Sequence, residues 1–270
     1  MQHKNFCVIG NPVAHSLSPL IHNTLYKIYG LPYKYFYREV TPDTLPQFID
    51  RLQAEQICGF NITMPLKQDI FPHLAEQHSQ TSINTVCVQQ NGLCGYSTDE
   101  IGFHAALREH GGDFSDAAVV FIGAGAVTSS LAPYARRHGA SRITVLNRTA
   151  AKAQKIAGTC AGEFGVFDCK KTYTAIREAD ILINTTPLGM ISCPQFESFD
   201  FLANLSKKTL VCDLIYKPDP TVFLTKARQN GNATMSGIHM LIWQAFYAFE
   251  KFCGILPTQA DKEQIMNLLV

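Results

Sequence analysis

The sequence has almost no net charge: 23 lysines and arginines against 22 aspartates and glutamates leave +1 over 270 residues. Such a balance gives nucleic acid or an anionic membrane no field to bind, so neither is an expected partner. Nine cysteines are scattered without a C-x-x-C pair, and their number is odd. That argues against a disulfide framework or a zinc site and for buried thiols in a reduced, cytoplasmic protein. No set of metal ligands is read, so no metal is expected. No apolar run approaches the roughly 18 residues of a membrane-spanning helix. The opening "MQHKNFCVIGNP" lacks the apolar core of a signal peptide. Internal repeats and low-complexity linkers are missing as well. What is present is 46% apolar and 17% charged residues, the composition of a globular fold. The length suits one large domain or two ordinary ones.

The chain reads as two α/β units. In the first, "FCVIG" is a buried strand, and "SPLIHNTLYKIYG" is a helix from Ser18 with Pro19 in its first turn and Gly30 as its stop. "YKYFYREV" is a strand, "TLPQFIDRLQA" a helix and "GFNIT" a strand. "INTVCVQQNGLCGYST" is a hairpin turning at Asn91-Gly92. A second unit begins near residue 117, where strands and helices alternate from "AAVVFIGAGAV" through "TLVCDLIY". That rhythm predicts a doubly wound parallel sheet of Rossmann type. Pro133 is awkward inside the helix "TSSLAPYARRHG". The apolar helix "GIHMLIWQAFYAFEKFCG" lies outside the rhythm and is expected to fold back on the first unit.

Gly123-x-Gly125 follows a strand and precedes a helix. Glycines there permit a tight turn and close approach of a pyrophosphate to helix N–H groups. A lone G-x-G is weak, because many strand–helix turns use glycine, and Thr128 stands at the third small position of the fingerprint. The end of the next strand adds to it. Asn147, Arg148 and Thr149 stand where an NAD site would carry a carboxylate, with Lys152 close behind. A guanidinium matches a 2′-phosphate in charge and geometry, which points to NADP(H). The competing reading is an ordinary solvated arginine.

Polar residues gather in four segments of the first unit: "HSLSP", "GFNITMPLK", "INT" and "YSTDEIGF". Asn61 and Thr63 alternate along a strand and share a face. Pro65 ends that strand and fixes a turn that directs Lys67 back toward the same place. Ser16 and Ser18 share a side if their stretch is extended, although Ser18 also suits a helix N-cap. Asn84 and Asp99 stand near turns, where these residues are common anyway.

Nine runs in order resemble the shikimate 5-dehydrogenases over nearly the whole chain: "GNPVAHSLSPLIHN", "GFNITMPLK", "INTV", "GYSTDEIGF", "GAGAV", "NRT", "NTTPLGM", "DLIYKPDPTVFL" and "GIHMLIWQAFYAFEKFCG". The resemblance implies NADP-dependent, reversible reduction of 3-dehydroshikimate to shikimate in the shikimate pathway of aromatic amino acid biosynthesis. It implies a substrate-binding and catalytic domain made of residues 1–98 and 238–270. An NADP-binding Rossmann domain of residues 99–237 interrupts it, with a cleft between the two. The expected partner is a small molecule, and the expected state a monomer or homodimer. Carried over residue by residue, Lys67 and Asp99 form the catalytic pair. Ser16, Ser18, Asn61, Thr63, Asn84, Tyr216 and Gln244 bind the substrate's carboxylate and hydroxyls. Gly123, Ala124, Gly125, Ala126, Asn147, Arg148, Thr149, Met190, Leu214 and Gly237 fall on the cofactor side. The family usually has glycine where Ala126 stands, a small residue or arginine near Thr128 and Ser129, asparagine at Ser97, and commonly glycine at His239.

In such a reaction hydride moves to or from a carbon whose oxygen must gain or lose a proton. A lysine serves if its pocket lowers its pKa from about 10.4 toward neutrality, whereas a neighbouring aspartate favours the charged form. Lys67 and Asp99 are therefore expected to titrate as a pair. Two competing readings remain at this level: an NAD-preferring quinate/shikimate dehydrogenase, and a non-catalytic shikimate-binding sensor. Arg148 argues against the first, and the intact Lys–Asp pair against the second.

Overall fold

A computed structural model describes residues 3–79 and 82–269. The chain separates into two compact units, one running up to Gly102 and resuming at Ile242, the other spanning Phe103–Leu241. These divisions lie four residues beyond the expected ones at 98 and 237. They fall inside two helices.

The elements of the first unit begin with β1 (Lys4–Gly10), α1 (Ser18–Ile28), β2 (Tyr33–Glu39), α2 (Leu45–Asp50) and β3 (Ile57–Ile62). β4 (Leu74–Gln77), β5 (Thr85–Gln89) and β6 (Gly92–Tyr96) follow, and α3 (Asp99–Glu109) crosses into the second unit. The strands form one mixed sheet in the order β2-β1-β3-β5-β6-β4. β1 is parallel to both β2 and β3, whereas β3 and β5 are antiparallel with Asn61 opposite Thr85. Alternate residues on one face, among them Cys7, Ile9, Phe60 and Ile62, pack with Leu45 and Phe48 of α2 into a continuous apolar cluster. α1 ends where Gly30 takes φ +63, a left-handed conformation that few other residues tolerate. Asn23 fastens α1 to β2 by accepting from the Tyr35 N–H and donating to the Tyr35 carbonyl. The helix expected over "TLPQFIDRLQA" is shorter, since regular helix stops at Asp50 and turns continue to Gln56. β4 is not foreseen; its Leu-Ala-Glu-Gln has one large apolar side chain and no alternation.

In the second unit the elements are β7 (Ala118–Ile122), α4 (Ala126–Arg137), β8 (Arg142–Asn147), α5 (Ala150–Thr159) and β9 (Glu163–Val166). They continue through α6 (Thr174–Arg177), β10 (Ile181–Asn184), β11 (Leu210–Asp213), α7 (Val222–Gln229) and β12 (Thr234–Met235). All pairings are parallel, in the order β12-β11-β10-β7-β8-β9. That is the doubly wound order, with its reversal between β7 and β10, where such folds bind ligands at the strand ends. The central strands are buried and almost wholly apolar, as strands covered on both faces must be. Pro133 is buried inside α4 without ending it. Two further helices, α8 (Gly237–Cys253) and α9 (Gln259–Leu269), complete the chain, and α8 carries it back into the first unit.

Candidate active site

Antiparallel pairing of β3 with β5 brings the polar residues of "GFNITMPLK" against those of "INT". Tyr35 donates from its hydroxyl to Asn61 Oδ1 at 2.6 Å. Asn61 Nδ2 donates to the Asn84 carbonyl at 3.0 Å and to Thr85 Oγ1 at 2.9 Å. Thr85 donates to Asn84 Oδ1 at 3.1 Å, and that oxygen also accepts the Thr98 N–H at 2.8 Å. Asn84 Nδ2 reaches Asp99 Oδ1 at 2.8 Å, while Lys67 Nζ donates to Asp99 Oδ2 at 2.5 Å. One network therefore runs from a buried tyrosine to a Lys–Asp pair. The two side chains of that pair are 19% and 14% exposed, enough shelter to strengthen the pair and enough opening for a ligand to reach it. Asp99 stands at the first position of α3, where a carboxylate is also favoured by the helix dipole.

The other expected substrate ligands are disposed differently. Gln244, on α8, touches the network at long range, its Oε1 3.5 Å from Asn84 Nδ2. Ser16 and Ser18 bond to each other, with 3.2 Å between hydroxyl oxygens. Ser18 is the first residue of α1, and no side chain caps that helix, so the capping reading of Ser18 does not describe it. The Thr63 hydroxyl has no partner among the described residues, and Thr63 is tied by its backbone N–H to the Ile9 carbonyl. Tyr216 belongs to the second unit, half-buried, with its phenol pKa raised by that burial. Asn61 has both amide protons committed inside the protein, which leaves a spare lone pair on Oδ1. Tyr35, Thr85 and Thr98 were not singled out in the sequence. Thr85 and Thr98 lie inside the polar segments "INT" and "YSTDEIGF", whereas Tyr35, 3% exposed, is set apart from its neighbours on β2 only by burial. At Ser97 the hydroxyl donates to the buried Glu100 carboxylate, a local bond within the first turn of α3.

In the second unit the expected cofactor residues end or follow strands β7, β8, β10, β11 and β12 of its parallel sheet. Gly123 follows β7 with φ +117, and a Cβ there would stand 2.5 Å from Thr185 Oγ1. Its N–H donates to the Leu146 carbonyl at 2.8 Å, setting the glycine turn beside the end of β8. Thr128 explains its departure from the fingerprint: its buried hydroxyl donates to the Gly123 carbonyl at 3.0 Å and lies 2.8 Å from Thr185 Oγ1. Gly125 occupies the N-cap of α4, which no side chain caps, and a Cβ on it would meet open space. Ala124 is half-buried, and Ala126, the first residue of α4, is exposed. At the end of β8, Asn147 Nδ2 donates to the Thr149 carbonyl at 3.0 Å, while Arg148 is exposed with no ion-pair partner among the described residues. Met190 is exposed in the loop after β10. Gly237 opens α8 so tightly against the Leu214 carbonyl that no Cβ fits between them. An uncapped helix N-terminus, a glycine facing open space and an unpartnered guanidinium fit an NADP(H) pyrophosphate and 2′-phosphate.

Asp213 is the charged residue that the sequence did not mark. It ends β11 with no exposed surface and accepts from Asn184, Thr221 and the Ile215 N–H. Burial pushes its carboxyl up to about 6 against those hydrogen bonds. Its bonds join the ends of β10 and β11 to α7.

The family model for the shikimate dehydrogenase substrate binding domain matches residues 8–86. That for shikimate / quinate 5-dehydrogenase matches residues 105–215. The chain is 35% identical to the shikimate dehydrogenase (NADP(+)) of Bartonella henselae, over 96% of this chain and 92% of that one. A solved shikimate dehydrogenase in complex with NADP+ superposes with a TM-score of 0.89 at 32% identity, covering 99% of this chain and 96% of the other. The 5-ketofructose reductase of a Gluconobacter strain also superposes at 0.89, with 27% identity over 100% and 99% of the two chains. Relatives that match from end to end, at this identity and with both domain types in order, show that the chain belongs to the shikimate dehydrogenase family.

Proposed function

We propose that this chain interconverts 3-dehydroshikimate and shikimate with NADP(H), as the reductive step of the shikimate pathway of aromatic amino acid biosynthesis. The observation that carries the proposal is the Lys67–Asp99–Asn84 constellation, a partly sheltered ion pair bonded at 2.5 Å and held by a buried amide. When bound, the nicotinamide supplies or takes the hydride. Lys67 Nζ stands ready to give a proton to the carbonyl oxygen as it becomes a hydroxyl, and to take it back in the reverse direction. Asp99 holds the ammonium in place, and Asn84 holds Asp99. The paired hydroxyls of Ser16 and Ser18 are suited to a carboxylate, and Asn61, Thr63, Tyr216 and Gln244 to the ring hydroxyls. Arg148, with Asn147 and Thr149, takes the 2′-phosphate. Ala124, Ala126, Met190 and Leu214 line the cofactor, with the glycines at 123, 125 and 237 shaping its path. Nine free thiols support a reducing, cytoplasmic setting, and a monomer or homodimer is the proposed state.

The test is nicotinamide absorbance during oxidation of shikimate with NADP⁺ and with NAD⁺, and then of quinate with each. Turnover with shikimate and NADP⁺ far above the other pairs is the expected result. Arg148→Ala should weaken NADP⁺ at least about tenfold and leave NAD⁺ unchanged, since a charge-assisted bidentate contact exceeds 1.4 kcal/mol. Preference for NAD⁺ or quinate would reassign the chain to the sister activity. Shikimate binding without turnover would make it a sensor.

A further inference from the structure

Two clusters among the described residues could each offer three metal-ligating atoms, and neither includes Lys67 or Asp99. In the first unit Glu76, His78 and Cys94 come together across β4 and β6. There Glu76 Oε1 already lies 3.1 Å from His78 Nε2, the thiol of Cys94 donates to the Tyr96 hydroxyl, and the Lys251 ammonium sits 5.2 Å from the Tyr96 ring centre. The imidazole, the carboxylate and the thiol are thus already engaged with protein partners.

The second cluster is Glu109, His110 and His239, whose ligand atoms lie within 4.8 Å of one another. Glu109 ends α3 and His110 follows it, while His239 stands in the first turn of α8. The two imidazoles meet edge to face with ring centres 4.3 Å apart. His110 Nδ1 lies 2.8 Å from the Ala106 carbonyl, so it carries the proton and donates. That bond fixes the tautomer and leaves the lone pair on Nε2, the arrangement that outer-shell carbonyls impose on metal-bound histidines. Both histidines are half-buried and Glu109 is exposed, so an ion can enter from solvent.

We propose that Glu109, His110 and His239 form a binding site for a late first-row divalent ion of the Zn²⁺, Ni²⁺ or Co²⁺ class. Two imidazoles and one carboxylate suit these borderline ions and disfavour Mg²⁺ and Ca²⁺, which require oxygen ligands. Ligands at about 2.0–2.1 Å from a tetrahedral ion stand about 3.3 Å apart, so atoms that lie within 4.8 Å of one another must draw together as the ion binds. The ion links the end of α3 to the start of α8 and completes its coordination with water. None of its three ligands belongs to the Lys–Asp pair.

Co²⁺ is the discriminating probe, because its spectrum reports ligand type. The full chain, stripped with chelator and kept reduced, is titrated with CoCl₂ by calorimetry and visible absorption. One equivalent should bind with visible ligand-field bands and without a thiolate charge-transfer band, and should raise the melting temperature. His239→Gln and His110→Gln should each weaken binding at least about tenfold, the loss that removal even of an outer-shell partner produces. His78→Gln and Cys94→Ser should leave it intact. Melting curves of the metal-free variants establish that each is folded. Binding that survives His239→Gln, binding that carries the thiolate band and disappears in Cys94→Ser, or no binding at all up to high micromolar Co²⁺ would each overturn the proposal.

Discussion

The proposed role of Lys67 rests on what surrounds it. Its ammonium is bonded to Asp99 at 2.5 Å, and Asp99 is bonded in turn to Asn84. Lys67→Ala should lower turnover by roughly 10²–10⁴ while the far-ultraviolet circular dichroism stays unchanged, the range expected for loss of a general acid–base group. Near-normal turnover would remove Lys67 from the reaction. Tyr35 acts at one remove. Its hydroxyl serves Asn61 Oδ1 inside the protein, so Tyr35→Phe leaves a buried acceptor unpaired and should cost about 1–3 kcal/mol in chemical denaturation. The individual residues Lys67, Asp99, Asn61 and Asn84 were legible in the sequence through the resemblance. Their bonding order was not, because it depends on which strand lies beside which. Tyr35 escaped notice because one tyrosine in "YKYFYRE" differs from its neighbours by burial alone, and burial belongs to the folded chain.

Elements repeat this division. Strands with long apolar runs, such as "AVVFI", and helices marked by Pro19 and Gly30 are read directly, since period and punctuation are local. β4 and β9 are short, largely exposed edge strands whose pairing is contributed by neighbours, and nothing local announces them. Two glycines make element packing testable. A Cβ on Gly102 of α3 would stand 2.6 Å from the Gln244 backbone nitrogen and 2.7 Å from its Cα on α8. Gly102→Ala should therefore destabilise the protein by about 1–3 kcal/mol, measured by denaturant unfolding, because backbone cannot move aside as a side chain can. At Gly123, φ +117 and the nearby Thr185 hydroxyl oppose any side chain. Gly123→Ala should weaken NADP⁺ binding more than tenfold in fluorescence titration, with shikimate binding retained. An unchanged NADP⁺ affinity would show that the turn tolerates a side chain and that its glycine does not shape the cofactor site.

Across the whole molecule, two buried groups place opposite slopes on stability against pH. His22 is fully buried, stacked 4.2 Å from Tyr35, and neither ring nitrogen has a hydrogen-bond partner among the described residues. Burial lowers its pKa from 6.5 to about 3. The native state keeps it neutral while the unfolded chain takes up a proton, so its contribution is full above pH 6.5 and falls as pH drops toward 3. Asp213 runs the other way: its contribution is full below pH 3.8 and is lost as pH rises through about 6. At about 1.4 kcal/mol per pH unit, the second effect is on the order of 3 kcal/mol and the first is somewhat larger. Melting temperature measured between pH 3 and 8 should show His22→Phe flattening the acid limb and Asp213→Asn removing the opposing slope. Unchanged profiles in both variants would mean that neither group titrates differently in the two states.

The amino-acid order alone determined the class of fold and the family, because periodicity, glycine turns and motif identity are local properties. Tertiary structure decided that Asn61 is spent on Asn84 and Thr85, that Thr128 is locked under Gly123, and that His110 and His239 share one place. Each of these depends on register or helix crossing between segments far apart in the chain. The energy of such contacts exists only once the backbone has brought the two segments within hydrogen-bond reach.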